Sequence, residues 1–454
     1  MNVRADAVVV FGITGDLASK KLFPALYHLE SRGRLTGPVI GVARSPWGHW
    51  QLTNAARKAL GDAGIRVDES VFDRLASRLS MMSGDYAEAA LYDGLARKLQ
   101  GAQSPLFYLA VPPAVFGSAV SGLAAADLTR RGRVIVEKPF GRDLRSAREL
   151  DAQLLSVFDD ERVYRMDHYR GKESVEGLLA FRFANALFEP SWNREHIAKV
   201  EVTMAEKFGT EGRAGFYDAV GAVRDIVQNH ALQVVALLAM ERPSDIEEIE
   251  REAVKLLRKV TSLSSDETVR GQYEGYLDEA GVDPLSTTET FAATRLSIDS
   301  PRWSGVPFVI RVGKNLRANA TDVVIEFRQP SENLFAENGG SADPNIIRLR
   351  LGRGEGISVS LQAKTPGVGM ATETVDMVSP TPVKTNQEAY ERLLDDAIHG
   401  LHHRFVSADA ISEQWRIVHP LLDSQEVPRQ YEPGSWGPAE ADLLADGWHR
   451  PLES

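Results

Sequence analysis

Ala7-Val-Val-Val-Phe-Gly-Ile-Thr-Gly-Asp-Leu-Ala-Ser-Lys-Lys21 is the stretch on which the reading of this chain turns. Its first five residues are apolar and mostly β-branched and stop at a glycine, which reads as a strand buried on both faces of a parallel sheet. Beyond the turn, Leu22, Leu26, Tyr27 and Leu29 follow a helical pattern. Strand, glycine turn and helix open a dinucleotide-binding unit. Gly12 makes the tight turn, and Gly15 lets the backbone approach a pyrophosphate seated on the helix N-terminus. The spacing is Gly-x-x-Gly and not the three-glycine fingerprint, so an ordinary glycine turn between strand and helix is the competing reading.

The residues that follow extend the same pattern. Val39-Ile-Gly-Val-Ala43 reads as the next strand and ends in Arg44-Ser45. A carboxylate at that strand end would bind the 2′-hydroxyl of NAD, whereas an arginine accommodates the 2′-phosphate of NADP. Arg44 beside Ser45, with no acid at the tip, therefore predicts NADP. Residues 51–104 read as helices with polar faces. Pro105-Leu-Phe-Tyr-Leu-Ala-Val-Pro-Pro113 is a buried strand stopped by two prolines, and Arg133 to Glu137 is a further strand closed by Lys138-Pro139. A lysine held extended before a proline can point into the crevice at a strand's carboxyl end. Read blandly, Lys138 is a turn lysine.

Composition narrows the function classes. A chain of 454 residues is too long for one compact core, and two domains are expected. The net charge of −11 speaks against nucleic acid as partner, which would need a basic face. The chain has no cysteine, which excludes disulfides, thiol catalysis and thiolate metal sites. No metal site is expected. No run approaches the ~20 apolar residues of a membrane span. Met1 to Asp6 is too short and polar for a signal peptide. These features predict a cytoplasmic protein with no membrane partner.

Arg165-Met-Asp-His-Tyr-Arg-Gly-Lys-Glu173 gathers five charged side chains, a histidine and a tyrosine into nine residues. Imidazole, phenol and ammonium can all donate to one oxyanion, so His168, Tyr169 and Lys172 suit an anion-binding corner. A charged hinge between domains is the alternative. The expected boundary lies just before this stretch, giving a Rossmann-type domain over 1–164 and an α+β domain over 165–454. The second part reads as a helix from Gly177 to Phe188, a strand at 198–206, a loop at Phe208 to Arg213, and helices from Ala219 to Met240 and from Ile246 to Leu263. Alternating strands at 308–312, 322–327, 346–351 and 357–361 predict a large, mainly antiparallel sheet with one helix-covered face. Helices at 388–401 and 408–422 precede a tail rich in proline, glycine and aromatics.

Seven motifs in order carry a resemblance to the glucose-6-phosphate dehydrogenase family over nearly the whole chain: the opening Gly-x-x-Gly-Asp-Leu-Ala; Glu137-Lys-Pro-Phe-Gly141; Asp167-His-Tyr-x-Gly-Lys-Glu173; Phe208-Gly-Thr-Glu-Gly-Arg213; Arg224-Asp-Ile-Val-Gln-Asn-His230; Trp303-x-Gly-Val-Pro-Phe308 with Gly313-Lys314; and Gly434-Ser-Trp-Gly437. The resemblance implies oxidation of the C1 hydroxyl of glucose 6-phosphate to 6-phosphogluconolactone with NADP, the first step of the pentose phosphate pathway. It implies His230 as general base, a task that suits a neutral imidazole. It pairs His230 with Asp167, which would fix the tautomer and stabilise the imidazolium. By the same resemblance His168, Tyr169 and Lys172 bind the phosphate, and Glu206, Asp225 and Lys314 hold the sugar. Lys138 lies between sugar and cofactor. The cofactor set is Gly12, Thr14, Gly15, Asp16, Leu17, Arg44, Ser45, Tyr108 and Lys138. A homodimer or homotetramer joined through the large sheet is implied as well.

Three positions depart from the family pattern. Asn319 stands where a second cation is usual, Arg350 where a glutamine is usual, and Arg170 where a leucine is usual. Arg350 or Arg170 would then restore the missing charge at the phosphate. The alternatives are a paralogue acting on another sugar or sugar phosphate, or a non-catalytic sensor of NADP and sugar phosphate. A sensor has no need of a base such as His230. Basic residues expected for a second, structural NADP are missing, for instance at Ala320, and that site is not predicted.

Overall fold

The computed structural model describes residues 4–210, 212–332, 335, 343–352, 356–367, 371–379, 387–424 and 426–451; Glu211, in the loop read at Phe208 to Arg213, lies outside them. The chain forms two compact units, one of residues 1–141, 145–173 and 385–408, the other of 142–144, 174–384 and 409–454.

The first unit is built on strands β1 (Ala7–Phe11), β2 (Val39–Ala43), β3 (Leu79–Ser83), β4 (Pro105–Leu109), β5 (Arg133–Glu137) and β6 (Val163–Met166). Their order is β3-β2-β1-β4-β5-β6, with every pair parallel. Successive side chains of a strand face opposite sides. Val8 and Val10 accordingly pack with Leu26 and Tyr27 on one face, while Ala7, Val9 and Phe11 pack with Leu95 and Leu123 on the other. Two buried faces explain why β1 shows no alternation of polar and apolar residues. The stretch at 51–104, read as helices alone, also contains β3, an edge strand only partly buried. The helix Pro113–Ala125 begins at the proline pair expected merely to stop a strand. A late segment returns to this unit as the helix Ala389–His399. It is held by Ala5 N–H on Ile398 O at 2.7 Å, by Arg133 on Ala397 O at 3.1 Å and by the Arg34–Asp395 ion pair at 2.7 Å.

The second unit holds β7 (Ile197–Ala205), β8 (Thr268–Tyr273), β9 (Phe291–Leu296), β10 (Phe308–Gly313), β11 (Ala320–Phe327), β12 (Ile346–Arg350), β13 (Gly356–Lys364), β14 (Thr372–Ser379) and β15 (Arg429–Tyr431). Among the described residues they form one sheet in the order β14-β13-β12-β11-β7-β10-β9-β8-β15. It is mainly antiparallel, as expected, but the β7–β10 and β8–β15 pairs are parallel. The helix expected from Gly177 to Phe188 runs instead from Glu173 to Phe183. The one expected over 246–263 opens as a 3-10 turn at Ile246–Glu248, is α-helical over Ile249–Leu257, and ends ahead of Val260, which bridges to Ile298. No helix among the described residues is long and apolar enough to cross a membrane.

The C-terminal tail is fastened to the middle of this sheet by charge. Glu201 on β7, almost wholly buried, accepts from His449 N at 3.0 Å and pairs with His449 Nδ1 at 2.9 Å and Lys199 Nζ at 2.9 Å. Burial works to raise the Glu201 carboxyl, but His449 and Lys199 outweigh it and hold the group below its ordinary value of 4.5. A carboxyl depressed in the folded state stabilises above its unfolded pKa, and that stabilisation is lost as pH falls through the folded value. The melting temperature of the wild-type chain should therefore drop more steeply below about pH 4.5 than that of Glu201→Gln. Thermal scans across that range check it; parallel curves would show that the carboxylate does not hold the tail.

Candidate active site

In a parallel sheet the chain leaves every strand at the same edge, and ligands bind outside those carboxyl ends. Gly12 leaves β1 with φ +79°, and a Cβ on it would lie 2.0 Å from Ala110 O, beyond the end of β4. Only glycine allows the two loops to approach in this way. The turn is fixed by Gly15 N–H on Gly12 O at 2.9 Å and by Gly12 N–H on Tyr86 Oη at 3.1 Å. Gly15 and Asp16 are exposed at its crest, and Leu17 packs partly into the core. A π-helical turn at Ala18–Leu22 leads into the helix Phe23–Ser31. The bare backbone at this crest fits a pyrophosphate. Arg44 is exposed at the end of β2, and Ser45 Oγ lies 3.4 Å from Thr14 Oγ1. The second strand end and the glycine turn thus share one surface.

Tyr108, expected in the cofactor set, lies below this surface. Its side chain is fully buried beneath this edge, with the hydroxyl donating to Glu137 and 3.2 Å from Met166 Sδ. A residue next to a strand end faces either the edge or a helix layer, and Tyr108 belongs to the apolar layer with Leu393 and Tyr164. Its hydroxyl supports Glu137. Burial pushes the Glu137 carboxyl up to about 7; the hydrogen bond from Tyr108 opposes the rise, and the charge of Asp167 adds to it. Lys138 follows, half-buried, and its peptide bond to Pro139 is cis.

The end of β6 delivers the stretch read as an anion corner. Asp167 is buried and accepts from Tyr169 N at 2.9 Å, which folds the chain into successive turns through Lys172. His168 is 41% exposed in its side chain and lies flat on Tyr390, ring centroids 6.2 Å apart at 15°. The Lys172 ammonium lies 4.1 Å from the centroid of the Tyr169 ring, a cation–π contact that holds the charge in place. Arg170 is buried and donates to His403 O at 3.1 Å. A Cβ on Gly171 would meet Ala389 O at 2.8 Å, so the helix Ala389–His399 packs directly on this turn. Sequence reading missed Tyr390 and Glu137. Glu137 lay inside a quoted motif, whereas nothing local links Tyr390 to residues more than two hundred positions earlier.

The second unit assembles its own polar cluster. β7 and β10 are parallel, with Ala205 opposite Gly313, so the next residues, Glu206 and Lys314, emerge side by side. They form an ion pair, and the Lys314 ammonium lies 5.1 Å from the Tyr217 ring and 5.6 Å from the Phe208 ring. Asp225 and Lys314 line a cavity with Thr210, Arg213, Phe216, Tyr217 and Val220, of about 380 Å³ including its open mouth. Asp225 and His230 belong to a π-helical run, Val223–Ala231, that continues as the α-helix Leu232–Ala239. Residues five apart would lie about 140° apart around an α-helix. In a π-helix, five is the hydrogen-bond repeat, so Asp225 and His230 come to one side. Asn229 sustains the wider winding by donating to Arg224 O at 3.0 Å and accepting from His230 N at 2.6 Å. The far end of the α-helix is capped by Trp192 on Leu238 O at 2.8 Å, Trp303 on Ala239 O at 2.7 Å and Arg182 on Leu237 O at 3.0 Å. Asn319 accepts from Lys207 N at 2.8 Å. Arg350 closes β12 opposite Asp322, three strands from Lys314 and hence ~14 Å away across the sheet.

Comparison with known proteins bears on what this geometry does. Residues 9–177 match the family model of the glucose-6-phosphate dehydrogenase NAD binding domain, and residues 179–450 match that of the C-terminal domain. The chain is similar to glucose-6-phosphate 1-dehydrogenase 1 of Mycobacterium tuberculosis, at 43% identity over 99% of this chain and 96% of the relative. It is similar to a crystal structure of glucose-6-phosphate 1-dehydrogenase from Mycobacterium avium, at 44% identity and TM-score 0.92 over 99% of both chains. A glucose-6-phosphate dehydrogenase solved in complex with its substrate glucose-6-phosphate superposes with TM-score 0.93 at 34% identity over 100% of both.

The glycine turn yields a direct test. Gly12→Ala forces a side chain into a left-handed conformation against a carbonyl, a strain of ~1–3 kcal/mol, so NADP affinity should fall by about fivefold to a hundredfold. Fluorescence titration of the folded variant measures it; wild-type affinity would mean that the turn does not hold the nucleotide.

Proposed function

The chain belongs to the glucose-6-phosphate dehydrogenase family, and on that premise we propose that it oxidises the C1 hydroxyl of glucose 6-phosphate to 6-phosphogluconolactone, with His230 as general base. Bound NADP supplies the hydride acceptor, and Arg44 with Ser45 receives its 2′-phosphate. His230 takes the C1 hydroxyl proton while the C1 hydrogen leaves with its electron pair, and the C1–O bond becomes a carbonyl. Asp167 orients the imidazole and balances the imidazolium. Lys314, Glu206 and Asp225 hold sugar hydroxyls, and Lys138 stands between sugar and nicotinamide. His168, Tyr169 and Lys172 take the phosphate, a handle far from C1 whose binding energy orients the reacting carbon. The observation that carries this reading is the cavity lined by Asp225 and Lys314, with His230 on the same side of the helix as Asp225.

Arg350 compensates for Asn319, whose side chain is engaged with the Lys207 amide. We read the active species as a homodimer or homotetramer. Leu361, Val375 and Met377 support this, because they leave an apolar strip exposed on one face of β13 and β14. The absence of cysteine supports a cytoplasmic setting.

His230→Ala should lower kcat by at least about a hundredfold, the scale of a lost general base; turnover near wild type would overturn the mechanism. Arg350→Gln should raise KM for glucose 6-phosphate far more than KM for glucose. Steady-state kinetics with both sugars measures this, and unchanged values for both would rule out compensation by Arg350.

A further inference from the structure

Glu289 and Thr290 lie just ahead of β9, both buried, and between them they touch the backbone of each sugar-side element. Glu289 Oε1 accepts from Val223 N at 3.1 Å, at the first turn of the helix that carries Asp225 and His230. Its main-chain oxygen accepts from Ala222 N at 2.9 Å. Gly221, with φ +75°, brings its backbone so close that a Cβ there would lie 2.5 Å from Glu289 Oε1. The other carboxylate oxygen is fixed by Arg270 at 2.8 Å, and Arg270 is itself anchored on Thr287 O at 3.0 Å and Glu426 O at 3.0 Å. Thr290 serves the other element. Its carbonyl accepts from Lys314 N at 3.0 Å, and its hydroxyl lies 3.0 Å from Tyr431 Oη, which donates to Lys314 O at 2.7 Å. Tyr217, between these elements, has a buried hydroxyl raised well above its ordinary value, first by burial and then by the charges of Asp225 and Glu289.

We propose that Glu289 is a positioning residue for the reaction: anchored by Arg270, it sets where the helix of Asp225 and His230 begins relative to Lys314, and so sets the base against the sugar. The inference rests on the roles given above to His230 and Lys314. A carboxylate at this place does two things at once. It satisfies an amide that the start of a helix leaves without an intrahelical partner, and it places negative charge at the positive end of the helix dipole. Gly221 is required because only a residue without Cβ lets the chain pass the carboxylate this closely. The span from Thr290 to Glu289 is one residue, so a displacement of the helix start is felt directly at Lys314.

The test uses the full-length enzyme with glucose 6-phosphate and NADP. A displacement of ~1 Å at a reacting centre can cost up to about a hundredfold, so Glu289→Ala should lower kcat by at least about tenfold. The primary isotope effect with 1-deuterated glucose 6-phosphate should rise while KM for NADP stays near wild type; the melting temperature falls, because Arg270 loses its buried partner. Glu289→Gln keeps an acceptor for the Val223 amide and should recover most of the loss. Gly221→Ala, which presses on the same joint from the other side, should reproduce the loss and decides the matter if Glu289→Ala does not fold. Wild-type kcat in Glu289→Ala and Gly221→Ala would overturn the proposal. So would a loss of NADP binding parallel to the loss of kcat, the mark of general loosening. If His230→Ala is inactive while both variants turn over normally, only this inference falls; if His230→Ala is active, the reading beneath it falls.

Discussion

Parallel strands share a direction, and that constraint places most of the polar chemistry of this chain. In the first unit it brings the turns after β1, β2, β5 and β6 to one edge, so Gly12, Arg44, Lys138 and the Asp167 turn need no further device to lie along one side. The second sheet is mainly antiparallel and would scatter its strand ends over two edges. Its parallel β7–β10 pair restores the effect locally, and Glu206 and Lys314 emerge as neighbours because Ala205 and Gly313 are opposite each other. A slip of one residue in that register would turn one of the two side chains to the other face.

The helix that follows from this arrangement is wound against its ordinary preference. π-Helical turns are uncommon and concentrate at functional sites. Here the wider winding brings Asp225 and His230 to one side, and Asn229 takes part in the altered hydrogen bonding. The far end of this helix is firmly held. Trp192, Trp303 and Arg182 satisfy carbonyls that a helix end leaves open, each bond contributing on the order of 1 kcal/mol.

Local signals made the opening turn legible. A β-branched run, a glycine at a positive-φ position and a helical repeat all lie within one short segment, and each points to the same unit. The turn after β6 drew notice for the same reason, since His168, Tyr169 and Lys172, proposed to take an anion, are close in sequence. What the sequence could not display was pairing at a distance. Tyr390 reaches His168 only because a late helix returns to the first unit. β3 and β14 escaped notice because their exposed residues blur the apolar pattern by which strands are read. Alternation along β4 turns Tyr108, expected in the cofactor set, into a helix layer, a direction that one residue in a wholly apolar run does not reveal. Arg170 looked like a spare cation until its hydrogen bond to His403 O gave it a direction.

The Glu206–Lys314 pair shows why a site can be read from energetics as well as geometry. Lys314 is only 5% exposed, and the desolvation of such a cation offsets much of what its carboxylate partner returns. An apolar pair of similar volume would often leave the fold as stable. The two aromatic faces of Tyr217 and Phe208 near the ammonium reduce the cost without removing it. Stability alone therefore gives little reason for a charged pair at the wall of a cavity. A ligand with hydroxyl groups does, because the ammonium offers only donors and the carboxylate only acceptors, and each sugar hydroxyl can use one of both. In a chain with net charge −11, a cation kept this deep beside Asp225 fits the recognition role proposed for Lys314, and the parallel β7–β10 register is what brings it beside Glu206.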